Sequence, residues 1–201
     1  MAAAFERRSR NGVTADTRAP PKRVPGTRVQ RICLHGPESV GKSRLAVQLA
    51  THFGTVFVPE YGRTYCEQHG TDLTGDQLVE IARTQQARAD AAVPQASPLL
   101  ILDTDPLMTA VWAEMMTGTR DPWFATFTDT ADLYLLCDID LPWVGDGTRI
   151  YGDTATRERF FVACRAELVA RGVNWALVSG TGDARLFNAI AQIRRFQPDL
   201  G

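Results

Sequence analysis

A chain of 201 residues, 44% hydrophobic and 22% charged, is long enough to bury a full core, and no apolar run in it reaches the roughly 20 residues that span a bilayer. The formal net charge of -1 conceals an asymmetry: residues 1–31 hold eight basic against two acidic groups, and the remainder holds 14 basic against 21 acidic. An acidic folded part is a poor general binder of nucleic acid, so neither a nucleic-acid nor a membrane partner is expected for it.

Residues 1–28 are rich in Arg, Ala and Pro and lack hydrophobic periodicity. They read as a disordered basic tail, with an organelle transit peptide as the sharper alternative. A P-loop domain is expected over 29–201. Its first strand, about 29–34, contains the apolar run Ile32-Cys33-Leu34 and leads into Gly36-Pro37-Glu38-Ser39-Val40-Gly41-Lys42-Ser43. This is a complete G-x-x-x-x-G-K-[ST] loop, followed by a helix to about Phe53. The strand–loop–helix context makes it a phosphate cradle, because backbone N–H groups and a helix N-terminus converge on the anion. Gly36, Glu38, Ser39, Val40, Gly41, Lys42, Ser43 and Arg44 are the expected ATP-binding residues. Lys42 is expected at the β/γ-phosphates and Ser43 at Mg²⁺.

A short strand at Val56-Phe57-Val58 runs into Glu60-Tyr61-Gly62-Arg63. Ligands of α/β sheets bind beyond the carboxyl ends of strands, so Glu60, Tyr61 and Arg63 are candidates to hold an acceptor. Thr74-Gly75-Asp76-Gln77 has the form of a capping box and opens a helix to about Val93. Leu99-Leu100-Ile101-Leu102 reads as a central buried strand ending in Asp103-Thr104-Asp105. Asp103 is expected to hold the Mg²⁺ with Ser43. Asp105 is either a second substrate-binding acid or the cap of the next helix. For the general base, Glu60 and Asp105 are rivals. Trp112, on the helix over 107–117, is the first candidate to stack on a flat acceptor base.

Another short helix opens at Pro122-Trp123, and Leu133–Cys137 is a fourth strand. Residues 138–153, rich in Asp, Gly and Pro, form a loop with the character of a lid. Its closing would bring Arg149 or Arg157 to a transferring phosphoryl group. A helix over 154–171, a fifth strand at Trp175–Val178 and a final helix to about Arg195 complete the chain. Alternating strands and helices argue for an α/β fold. The expected architecture is a P-loop NTPase core: a five-stranded parallel sheet with helices on both faces, kinase-like, with a lid loop. Cys33, Cys66, Cys137 and Cys164 are far apart and form no metal-binding spacing, which fits core thiols in a reducing cytoplasm.

The P-loop, Glu60-Tyr61-Gly62-Arg63, Asp103-Thr104-Asp105, and the run Leu135 to Trp143 continued through Asp146-Gly147-x-Arg149 occur in this order. Together they resemble the ribosylnicotinamide kinase domain of NadR-type proteins, over roughly residues 30–195. The resemblance implies phosphorylation of nicotinamide riboside by ATP and Mg²⁺ to nicotinamide mononucleotide, a step of NAD salvage. The residues themselves argue for a small-molecule kinase with Lys42, Asp103, Asp105, Glu60, Arg149 and Arg157 as its catalytic candidates. A second class is a regulatory P-loop ATPase that switches partners. The guanine-reading Asn-Lys-x-Asp is absent, and the chain is short for an AAA+ module with a helical lid.

Overall fold

A computed structural model of the protein describes residues 28–198. The expected tail over 1–28 therefore lies outside the described residues except for Arg28. Five strands form one sheet: β1 (Gln30–His35), β2 (Phe57–Val58), β3 (Leu99–Asp103), β4 (Leu133–Cys137) and β5 (Trp175–Val178). Their order is β2-β3-β1-β4-β5, with every neighbouring pair parallel. The helices are α1 (Lys42–Phe53), α2 (Tyr61–His69), α3 (Gly75–Ala92), α4 (Pro106–Thr117), α5 (Pro122–Thr126), α6 (Thr154–Ala170) and α7 (Gly182–Phe196). The expected α/β P-loop architecture is borne out.

The period of two along each strand sorts its side chains into two cores. Ile32, Leu34, Leu99, Ile101, Leu133 and Leu135 pack with Leu45 and Leu49 of α1 and Ile190 and Ile193 of α7. Cys33, Leu100, Leu102, Tyr134 and Leu136 face the other way, onto Leu107, Met108 and Val111 of α4 and Phe160 and Leu168 of α6. Helices on both faces explain why β3 and β4 are buried at every position, with no polar alternation along them. Truncating a side chain of the covering layer, Leu49 of α1, which has 0% exposure, removes about 2–5 kcal/mol.

Capping chemistry sets the helix starts around the site. The Thr74 amide donates to Gln77 Oε1 at 2.8 Å and the Gln77 amide returns to Thr74 Oγ1 at 3.4 Å, which is the expected capping box. Cys33, Cys137 and Cys164 are buried and Cys66 is half-buried, and all four are free thiols. No helix among the described residues is long and apolar enough to cross a membrane.

Candidate active site

Because β1 lies between β3 and β4, the loops that leave their carboxyl ends converge. The P-loop leaves β1, Thr104 follows β3, and the 138–153 loop follows β4. Between them and the start of α2 lies a cavity of about 210 Å³. Its walls include residues 38–44 of the P-loop, Glu60, Arg63, Gln85, Thr104, Trp112 and Arg149.

The loop can turn tightly into α1 because Gly36 has φ +130°, and a Cβ there would come within 2.9 Å of the Cys137 carbonyl oxygen. Lys42 is 8% exposed, and its Nζ donates to the carbonyls of Gly36 at 2.8 Å and Pro37 at 2.6 Å. Beneath it, Asp103 is 1% exposed, and its Oδ1 is buried with no hydrogen-bond partner. Burial raises the Asp103 carboxyl above the usual range. Lys42, the hydrogen-bonded Ser43 hydroxyl and Arg63 pull it back down. A buried acid oxygen without a donor, beside a serine hydroxyl, has the chemistry of a Mg²⁺ site, so the expected pair fits that ion. His35, fully buried, is pushed down to about 3 by desolvation and then by Lys42, so it stays neutral near this cation.

Across the cavity Glu60 occupies the N-cap position of α2 and makes no capping hydrogen bond. Burial raises its carboxyl to about 6. Lys42 and Arg63 oppose that rise, and Asp103 and Glu38 add to it. Arg63 bonds Asp146 of the 138–153 loop at 2.5 Å. Arg149 extends from the same loop: its Nε lies 3.1 Å from Asp146 Oδ2, and its guanidinium donates to Ser39 Oγ at 3.3 Å and to the Val144 carbonyl. This pairing holds Asp146 well below the ordinary carboxylate range, with hydrogen bonds from Arg63 and Thr148 overcoming its desolvation. Trp112 lines the cavity but stacks one ring face on Tyr151, 5.5 Å away at 22°, and packs at nearly a right angle to Phe160.

Three of the expected site residues lie elsewhere. Asp105 is 3% exposed and caps α4: Oδ1 accepts from the Leu107 amide at 3.0 Å and the Met108 amide at 3.3 Å, and Oδ2 accepts from the Tyr134 hydroxyl. Both of its oxygens are engaged away from the cavity, so of the two candidates for the base only Glu60 lines the cavity. Tyr61 lies under the Arg88 guanidinium, 4.2 Å from the ring centre, and its amide donates to Gln85. Arg157 donates to the Leu141 carbonyl at 2.9 Å and anchors the chain near the start of the 138–153 loop.

Other residues here were not singled out from sequence. Gln85, 2% exposed, accepts from the Tyr61 amide at 2.7 Å and donates to the Thr104 carbonyl at 3.4 Å, tying α2 to the end of β3. Thr104 has φ +86°, a strained conformation for a β-branched residue of the kind that clusters at functional sites. Arg185 of α7 is 4% exposed and donates to Asp140, Gly180, Asp138 and the P-loop carbonyl of Val40, at 2.6 to 3.0 Å.

The family model described as "AAA domain" matches residues 31–185. The trifunctional NAD biosynthesis/regulator protein NadR of Escherichia coli (strain K12) is 33% identical over 141 residues, 66% of this chain. That stretch is 34% of the relative, so the chain spans about a third of the length of the curated relative it matches. Crystal structures of NadR protein, one in complex with NR and one with NAD and AMP-PNP, superpose with TM-scores of 0.69 at 20% identity. They cover 85% of this chain and 52% and 50% of those chains. Thymidylate kinase from Ehrlichia chaffeensis shares the fold with a TM-score of 0.58 at 14% identity, over 84% of this chain and 99% of that one. The resemblance to NadR-type proteins read from the motifs is thus borne out. With its P-loop, its parallel sheet and that match over most of the described residues, the chain belongs to this AAA-domain family of P-loop nucleotide-binding proteins.

Proposed function

We propose that the chain is a Mg²⁺-dependent kinase that transfers the γ-phosphoryl group of ATP to the 5′-hydroxyl of a nucleoside. Nicotinamide riboside is the first candidate acceptor, as in NAD salvage. The observation that carries this reading is the opposition, within one cavity, of a P-loop backed by Asp103 and an acid, Glu60, held near pKa 6. A nucleotide switch that hydrolyses ATP would set such an acid against water alone; here Glu60 fronts a cavity of about 210 Å³, lined also by Arg63 and Trp112, with room for an organic acceptor. The similarity to NadR, crystallised with NR, and the fold shared with thymidylate kinase support the same class.

The P-loop amides and Lys42 cradle the phosphates, Lys42 exchanging its two carbonyl partners for phosphate oxygens. Ser43 and Asp103 would hold Mg²⁺, which when bound would neutralise charge on the phosphates. Glu60, mostly ionised above pH 7, takes the proton of the acceptor hydroxyl. As the bond from that oxygen to the γ-phosphorus forms, the bond to the β,γ-bridging oxygen breaks and ADP leaves. Arg149 sits on the lid beside Ser39 and stabilises the charge on the group in transit. Arg63 holds the lid to α2 through Asp146.

The test is ADP release by the purified chain with ATP, Mg²⁺ and a panel of nucleosides, the product being identified by mass spectrometry. Release that depends on nicotinamide riboside and yields its mononucleotide is the expected result. Release indifferent to every nucleoside would overturn the kinase reading in favour of a nucleotide-driven switch.

A further inference from the structure

A glutamate in a phosphate-binding loop is electrostatically out of place, because its charge repels the anion the loop is built to hold. Glu38 nevertheless occupies the third position of this P-loop and is 8% exposed. Its partners account for it. Oε1 accepts from the indole Nε1 of Trp143 at 3.1 Å and from the Tyr151 amide at 2.6 Å, and Oε2 accepts from the Ile150 amide at 3.2 Å. Trp143 precedes the lid tip, and Ile150 and Tyr151 follow it. One carboxylate thus joins the two feet of the lid to each other and to the P-loop.

Two further contacts close the same ring. Ser39 Oγ accepts from the Val144 amide at 2.8 Å. The Trp143 indole fills the space inside so tightly that a Cβ at Gly145 or Gly152 would come within 3.2 Å of it. Between the feet, Val144 is 59% exposed, and Gly147, at the tip, has φ +90°. Arg149 is the last residue before the second foot.

We infer that Glu38 is the pin of the lid: it fixes both feet to the P-loop, so that motion is confined to residues 145–149, which are clasped at Asp146 by Arg63 and Arg149, and it thereby sets where Arg149 is delivered. Glu38 is a positioning residue, acting on the transferring group through Arg149. The catalytic consequence rests on the phosphoryl-transfer reading above, whereas the pinning itself does not.

The experiment compares the full chain with Glu38→Ala and Glu38→Gln, by amide hydrogen exchange and by steady-state kinetics. Glu38→Gln keeps the side chain's shape if the alanine variant does not fold. Its amide oxygen still serves Trp143 or Tyr151, but its NH₂ group meets the Ile150 donor with another donor. Exchange at Ile150 is expected to accelerate about 10- to 100-fold in either variant, and at Tyr151 most in Glu38→Ala, while α7 keeps wild-type protection. With nicotinamide riboside as acceptor, kcat should fall about 10- to 100-fold while its KM moves less than about threefold. Wild-type exchange at both amides would overturn the pin. Accelerated exchange with an unchanged kcat would overturn its role in delivering Arg149. A wild-type chain that phosphorylates no nucleoside would sink the kinase reading, and the exchange data would still decide the pin.

Discussion

Replacing Glu60 by glutamine should make the protein more stable and nearly inactive at the same time. Burial, aided by the nearby Asp103 charge, holds the Glu60 carboxyl at about 6 against an ordinary 4.5. The native state therefore binds more protons than the unfolded chain between those two values, and stability falls as pH rises through that window. The full difference corresponds to about 2 kcal/mol, and the partial exposure of Glu60 together with the shared field of Asp103 reduces it to about 1 kcal/mol. Glu60→Gln removes the charge without removing a capping bond, because Glu60 makes none. At pH 8 the variant should melt about 2–4 °C above wild type, and below pH 4.5 that advantage should vanish. Turnover should drop about 100-fold, and the wild-type rise in rate with pH through about 6 should flatten. Thermal melts at pH 4.5 and pH 8, alongside ADP release from pH 5 to pH 8, read all of this. A variant that is less stable at pH 8, or that keeps the wild-type rate and pH profile, would refute the assignment of Glu60 as base.

Asp105→Ala should do the reverse. It removes two helix-capping bonds and leaves the proton of the Tyr134 hydroxyl without its acceptor, a loss of about 2–4 kcal/mol by denaturant unfolding, while kcat per folded molecule stays near wild type. Arg185→Met leaves four acceptors around the P-loop and the β4 and β5 loops without their common donor. About 3–5 kcal/mol of stability should be lost, and nucleotide affinity, measured by calorimetry, should weaken with it because the Val40 carbonyl loses its support.

The fold was legible because its signals are local. The P-loop, the wholly apolar Leu99–Leu102 run and the Thr74 capping box each lie within a few residues of sequence, and the strands fall within about a residue of their expected bounds. Asp105 was also legible in part: an acid followed directly by Pro106 at the first helical position is a cap signature, and the cap reading prevails over the catalytic one. What sequence could not supply were pairings across the chain. Glu38 meets Tyr151 113 positions away, and Arg185 meets Val40 145 positions away, with no periodicity linking them. The resemblance singled out Trp143, Asp146 and Arg149 as a motif. Their physical reason becomes visible only when the P-loop, the 138–153 loop and α2 are brought together around one cavity.

A lid anchored at both ends also has a characteristic clock. Swinging a whole domain takes microseconds to milliseconds, but a short loop between fixed feet, once Arg63 lets go of Asp146, rearranges in nanoseconds to microseconds. Kinases of small substrates turn over at about 1–100 per second, so the span between Trp143 and Ile150 samples its positions thousands of times in each cycle. On the proposed reading the lid then acts through how often it is shut rather than how fast it shuts, and the slow step falls to bond making or to the departure of products.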